Sequence, residues 1–184
     1  MEHNVIIAGF GGQGVMLIGE LLAHAGMDEG KEVTWLPSYG PEQRGGTANC
    51  AVVIADEPIA SPLLPEPQAV IIFNRQSFDK FEPLVEKGGV LIVASTLIDR
   101  KSTRTDIDIV YIPASDIALQ LGSGKFTNMV LLGAYMGKCN PIRLESIHDA
   151  LPIFLTGKKS EMIEVNKRAL KAGFDFVQYK QAAV

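Results

Sequence analysis

The chain carries only two cysteines in 184 residues, Cys50 and Cys139, with no CxxC pair. That scarcity excludes a disulfide framework, a zinc finger and a four-thiolate iron–sulfur cluster held by this chain alone, and a reducing cytoplasm is the expected location. Histidine is also scarce. His3, His24 and His148 are scattered along the chain, so no histidine metal site is expected. Positive charge is in deficit, 17 Lys and Arg against 21 Asp and Glu for a net charge of −4, and no basic run is present to track a phosphate backbone. Nucleic-acid binding is therefore not expected. The longest apolar runs stop well short of the roughly 18 residues that a bilayer span requires. The opening Met1-Glu2-His3 lacks a basic signal-peptide flank, so neither membrane insertion nor secretion is expected. No G-x-S-x-G elbow, H-E-x-x-H pair, P-loop lysine after Gly14, internal repeat or low-complexity tract occurs.

With 47% hydrophobic and 21% charged residues, the chain has the composition of a globular protein. At this length about 70% of the unfolded surface can be buried, enough for residues 1–184 to form one domain. The mean hydropathy of +0.16 is high for a small domain. Surplus apolar surface commonly marks an interface, so an oligomer or an obligate hetero-complex is expected. Charge is uneven: residues 1–92 hold 5 basic against 12 acidic residues, and residues 93–184 hold 12 against 9. The asymmetry fits either partner contacts or the solvated faces of amphipathic helices.

The periodicity along the chain predicts an α/β protein. Asn4 to Ala8 is a continuous apolar run, as in a buried strand, and ends in glycines. From Gly14 the period changes: Val15, Ile18, Leu22 and Ala25 recur at helical spacing up to Gly30. Val33 to Leu36 reads as a second strand stopped by Pro37, which makes a βαβ unit with the first. Residues 37–46 read as a loop, and Thr47 to Ala55 as a strand. A parallel crossover takes a dozen or more residues, so this ten-residue loop predicts an antiparallel strand and a mixed sheet. Residues 57–68, with Pro58, Pro62, Pro65 and Pro67, form an extended connector. Ala69 to Phe73, Gly89 to Ala94 and Ile109 to Ile112 are further strands, with a short helix around Gln76 to Phe81. Helices follow over Ser115 to Leu121, Thr127 to Lys138, Arg143 to Leu155 and Lys158 to Ala172, the last with a glycine stop at Gly173. The expected architecture is one α/β domain: a mixed, mostly parallel Rossmann-like sheet flanked by helices, with a helical C-terminal third.

Two segments carry candidate chemistry. Gly9-Phe10-Gly11-Gly12-Gln13-Gly14 matches G-x-G-x-x-G directly between a strand and a helix. Such a turn lets backbone approach a ligand closely and presents helix N-terminal N–H groups to an anion. Three readings stand: a dinucleotide site, a site for a phosphate or other ligand, and tight packing without ligand. The dinucleotide reading wants an acid at the end of the second strand, where Leu36, Pro37 and Ser38 stand. The second segment is Ser38-Tyr39-Gly40-Pro41-Glu42-Gln43-Arg44-Gly45-Gly46-Thr47, which should converge with the glycine turn at one end of the sheet. Glu42 and Arg44 either orient each other, pin a partner, present a guanidinium to a carboxylate or phosphate, or simply hold their own turn. The candidate binding set is Gly9, Gly11, Gly12, Gln13, Gly14, Tyr39, Glu42, Arg44, Gly45, Gly46 and Thr47. Cys50, inside an apolar strand, reads as a buried hydrophobe, and Thr127 and Asn128 as helix-capping groups.

GFGGQG after the first strand, SYGPEQRGGTANC after the second, FNRQSFDKFEPLVEKGGVLIV in mid-chain and FTNMVLLGAYMGK before a charged helix occur in this order. In this the chain resembles the gamma subunit of 2-oxoacid:ferredoxin oxidoreductases over nearly its whole length, and the second segment looks most like the 2-oxoglutarate branch. The resemblance implies a complex that oxidatively decarboxylates a 2-oxoacid (2-oxoglutarate, pyruvate or ketoisovalerate), passes the acyl group to coenzyme A and reduces ferredoxin. It also implies that thiamine diphosphate and iron–sulfur clusters belong to partner subunits. On this reading the chain has no catalytic residue and is inactive alone, and its two loops form an interface or a surface facing coenzyme A. The alternatives are a free-standing nucleotide-binding protein and a non-catalytic assembly or regulatory module.

Overall fold

The computed structural model describes residues 1–40 and 46–182, with side chains as far as residue 179. Strand β1 (Glu2–Phe10) is followed by α1 (Val15–Asp28), β2 (Glu32–Tyr39), β3 (Thr47–Ala55), β4 (Ala69–Ile72), α2 (Arg75–Phe81), β5 (Val90–Ala94) and β6 (Asp108–Ile112). The chain then continues as α3 (Ala114–Gln120), α4 (Thr127–Cys139), α5 (Leu144–Phe154) and α6 (Ile163–Ala182). The six strands form one sheet in the order β2-β3-β1-β4-β5-β6. β1, β4, β5 and β6 are parallel, while β3 is antiparallel to both of its neighbours, as the short loop before it predicted.

Alternation along the strands loads both faces. Val5 and Ile7, Ile71 and Phe73, Ile92 and Ala94 join a core under α1, α4, α5 and α6. Ile6 and Ala8, Val70 and Ile72, Leu91 and Val93 form the opposite core with Phe78 and Phe81 of α2. Among the described residues, no helix is long and apolar enough to cross a membrane.

The structure corrects four expectations. β1 and β2 do not form a simple βαβ pair, because β3 lies between them and pairs with β1 from Glu2↔Ala55 to Phe10↔Thr47. Val52, Val53 and Ile54 are buried, whereas Glu32, Leu36 and Tyr39 of β2 are exposed. The more apolar strand takes the interior place. β2 also runs past Pro37 to Tyr39, and on an edge strand the missing N–H of proline is tolerated. Thr127 and Asn128 do not cap α4. The Thr127 hydroxyl instead donates to the Gly124 carbonyl at 2.7 Å, and Asn128 Oδ1 accepts from the Met129 N–H at 2.9 Å. Finally, residues Gly157–Met162 are a 3-10 turn, and the helix that follows continues through Gly173 to Ala182.

Gly173 is not a stop because its missing side chain serves a helix contact. A Cβ there would lie 1.9 Å from the Val130 carbonyl oxygen of α4. In return, a Cβ on Gly133 would meet the Leu170 oxygen of α6 at 1.9 Å, and one on Gly137 the Phe174 oxygen at 2.8 Å. The two backbones therefore approach more closely than any side chain permits. At the other end of α1, Glu29 Oε1 accepts from the Arg143 N–H at 2.8 Å and from Ser146 Oγ at 2.5 Å, tying α1 to the first turn of α5.

Two predictions follow from these contacts. Gly173→Ala and Gly133→Ala should each force α4 and α6 apart and cost about 1–3 kcal/mol or more in urea denaturation. Gly124→Ala, where a Cβ would meet only Leu119 at 3.9 Å, should be close to neutral. Burial works to raise the Glu29 pKa, but the bonds from Ser146 and Arg143 outweigh it and hold the carboxyl below its ordinary range. Its contribution to stability is complete above that range and is lost as pH falls through the lowered folded value. Glu29→Gln should therefore flatten the acid limb of the pH–stability curve, measured by thermal unfolding between neutral pH and pH ~3.

Candidate functional site

The crossover after β1 packs α1 on one face of the sheet, and the one after β4 packs α2 on the other. The chain direction thus diverges between β1 and β4, and in open α/β sheets a ligand crevice opens outside the carboxyl ends of the strands at such a point. β1 ends in the glycine turn. Gly12 and Gly14 both have positive φ, 94° and 79°, which lets the chain reverse into α1 within a few residues.

Gln13 stiffens the turn. Its Oε1 accepts the Phe10 N–H at 2.7 Å and lies 3.5 Å from Asn74 Nδ2, just beyond β4. Asn74 in turn caps α2, its Oδ1 accepting from the Ser77 N–H at 2.8 Å. Gly9 is needed for this fold-back, since a Cβ there would stand 2.7 Å from Gln13 Oε1 and 2.8 Å from Phe73 Cβ. Asn128 of α4 closes over the turn from above, its Nδ2 lying where a Cβ on Gly14 would come within 2.4 Å.

Beside this turn lies a cavity of about 330 Å³. Gly12 and Gln13 form one wall, Phe73 and Leu97 an apolar wall, and Ser115, Gly124, Lys125 and Thr127 the third. The turns leading into α1 and α4 both border it, so the positive ends of two helix dipoles meet there. Lys125 adds a full positive charge, and the lining contains no carboxylate, imidazole or thiol. This surface is suited to holding an anionic group against an apolar wall.

The structure brings together only part of the expected site. The Gly11 N–H donates to the Gly46 carbonyl at 3.0 Å, so the start of β3 does meet the glycine turn. Of the candidate set, Gly12 and Gln13 line the cavity. Gly9, Gly11 and Gly14 shape the turn behind them. Tyr39 ends β2 with 69% exposure, and Thr47 is exposed with its carbonyl accepting from the Gly40 N–H at 2.7 Å; neither lines the cavity. Glu42, Arg44 and Gly45 lie outside the described residues. The end of β2 is separated from β1 by β3, so none of the described residues there occupies the place where a dinucleotide ribose would be read.

Phe73, Leu97, Ser115 and Lys125 were not expected. Only their positions after strands or before a helix could have marked them. Cys50 is the buried hydrophobe anticipated, its thiol pushed up to about 12 by burial. His24 pairs with Asp28, and no cluster of metal-ligating side chains occurs among the described residues.

An open, mainly parallel sheet with a glycine turn and a crevice at its switch point defines a Rossmann-like domain. The chain belongs to the pyruvate ferredoxin/flavodoxin oxidoreductase family, whose model matches residues 4–176. It is 38% identical over 178 residues to the ketoisovalerate oxidoreductase subunit VorA of Methanothermobacter marburgensis, covering 96% of this chain but 37% of VorA. It is 34% identical over 154 residues to the 2-oxoglutarate synthase subunit KorC of Methanocaldococcus jannaschii, covering 82% of each chain. The crystal structure of a keto/oxoacid ferredoxin oxidoreductase gamma subunit from Geobacter sulfurreducens superposes with a TM-score of 0.82 at 26% identity, covering 96% of this chain and 99% of that one.

The geometry of the turn is testable by a double-mutant cycle. Gly12 has open space around a Cβ, so a side chain there strains φ rather than crowding a neighbour. Gly12→Ala should cost roughly 1–2 kcal/mol. Gly14→Ala adds a clash with Asn128 and should cost more, and Asn128→Ala in the same chain should recover part of the loss in denaturant unfolding.

Proposed function

We propose that this chain is the gamma-type subunit of a cytoplasmic 2-oxoacid:ferredoxin oxidoreductase complex, and that its crevice faces coenzyme A. The complex would remove CO₂ from a 2-oxoacid, pass two electrons to ferredoxin and transfer the acyl group to the coenzyme A thiol. The observation that carries the reading is the crevice lining, which sets the Gln13 amide and the Lys125 ammonium beside two helix starts with no acid, imidazole or thiol among them. Such a lining can hold a phosphate of coenzyme A, while its residues supply no nucleophile or general base. On this reading the chain is inactive alone, and thiamine diphosphate and the iron–sulfur clusters are held by partner subunits. The substrate is proposed to be 2-oxoglutarate, from the form of the second segment. Arg44, which falls between β2 and β3 in the sequence, is proposed to meet either a coenzyme A phosphate or a partner carboxylate.

Purifying the native complex and measuring ferredoxin reduction with 2-oxoglutarate, pyruvate and ketoisovalerate tests both membership and substrate. Lys125 is exposed, so Lys125→Ala should leave the fold intact. In the complex it should raise the apparent KM for coenzyme A by about 10- to 100-fold, the loss of one charge-assisted contact. Arg44→Ala should raise the same KM in the phosphate case, or weaken assembly with normal kinetics in the partner case. Unchanged coenzyme A dependence in Lys125→Ala would remove the crevice from the reading. Turnover by the isolated chain would overturn it.

A further inference from the structure

A second cavity, of about 240 Å³, opens at the opposite end of the sheet from the crevice. It lies among the amino-terminal ends of β1, β4 and β5 and the last turns of α4, with His3, Gln68, Glu86, Tyr135 and Lys138 on its walls. Tyr135 is 1% exposed, yet no hydrogen bond to its hydroxyl is formed among the described residues. Buried tyrosines ordinarily place that hydroxyl against a partner. The amides around it are arranged otherwise: Asn4 N–H donates to Gln68 Oε1 at 3.2 Å and Gln68 N–H to Asn4 Oδ1 at 2.8 Å. This reciprocal pair fixes the Gln68 side chain at the rim and leaves its NH₂ as a donor.

The lining carries one unpaired charge. Lys138 is anchored by Asp108 of β6, and Glu86 forms no ion pair among the described residues. A purely anionic ligand would meet Glu86 uncompensated, and a purely cationic one would leave the Tyr135 hydroxyl, the Gln68 amide and the remaining Lys138 N–H groups without an acceptor. A molecule carrying both charges satisfies each wall and supplies the missing partner for Tyr135. An apolar cavity of about 150 Å³ accepts benzene, so this one has room for a small amino acid.

We propose that this cavity binds a small zwitterion of the α-amino-acid class, with its carboxylate toward Lys138 and Tyr135 and its ammonium toward Glu86. The site is independent of the crevice at the carboxyl ends of the strands, and loss of the coenzyme A reading would leave it standing.

The test is isothermal titration calorimetry of the full chain with L-valine and L-glutamate, alongside isovalerate, isobutylamine and glutarate, which each lack one of the two charged groups. At least one amino acid should bind more tightly than its analogues by about tenfold or more. Tyr135→Phe removes only an unpartnered hydroxyl, so its thermal midpoint should stay at or above that of the parent while amino-acid affinity falls severalfold. Glu86→Gln should abolish the preference for the amino acid over the bare carboxylate. Three results would each overturn the proposal: no binding of either amino acid at millimolar concentration, equal binding of isovalerate and valine with glutarate and glutamate also equal, or affinity untouched by both substitutions.

Discussion

The double burial of β1 is the constraint on which the rest depends. From Asn4 to Gly9 every residue is buried, and the strand is paired on both sides, antiparallel with β3 and parallel with β4. A strand so enclosed cannot turn back beside itself, so its carboxyl end must leave the sheet through a reversal that occupies almost no volume. Glycines at positive φ provide that reversal, and Gln13 fills the hydrogen-bonding need of the Phe10 N–H that the ladder leaves behind. The crevice beside the turn is a consequence. It is the space left where β1 and β4 send their crossovers to opposite faces.

Close backbone approach recurs as a packing device above that sheet. Gly133 and Gly137 of α4 and Gly173 of α6 remove the side chains that would separate the two helices. This draws α4 down over the sheet, so that Asn128 at its start rests on Gly14 and Lys125 just before it borders the crevice. A contact between two helices thereby sets the height of one wall of the site. The Glu29 bracket acts similarly between α1 and α5, with a carboxylate satisfying the first turn of a helix that has no side-chain cap of its own.

The family model spans nearly all of this sheet and its helices, residues 4–176. The relative VorA contains the matching region as 37% of its own length, whereas KorC corresponds to it over 82%. The matching sequence thus occurs within a longer chain and as most of a shorter one. In this chain the domain is held by a core of its own. Apolar side chains on both faces of β1, β4 and β5 supply it, at about 1.5–3 kcal/mol for each fully buried aliphatic residue.

Local order was legible in the sequence because it rests on local physics. The apolar runs of β1, β3, β4 and β5, the helical period of α1 and the short link that makes β3 antiparallel all follow from neighbouring residues, and so does the glycine turn. What tertiary structure alone decided is which elements share a wall. Pro37 marks a strand end in sequence but is tolerated on an edge, and β2 is an edge only because β3 is more apolar. Gly173 carries a helix-stop signature, yet it lies mid-helix because α4 passes too close for a side chain. Lys125 and Leu97 stand 28 positions apart and far from Gly12 in sequence, and their meeting at one cavity is set by strand order and by the packing of α4. Periodicity reports whether a residue is inside or outside, whereas a site depends on distances between segments, and those are fixed only when the whole core has closed.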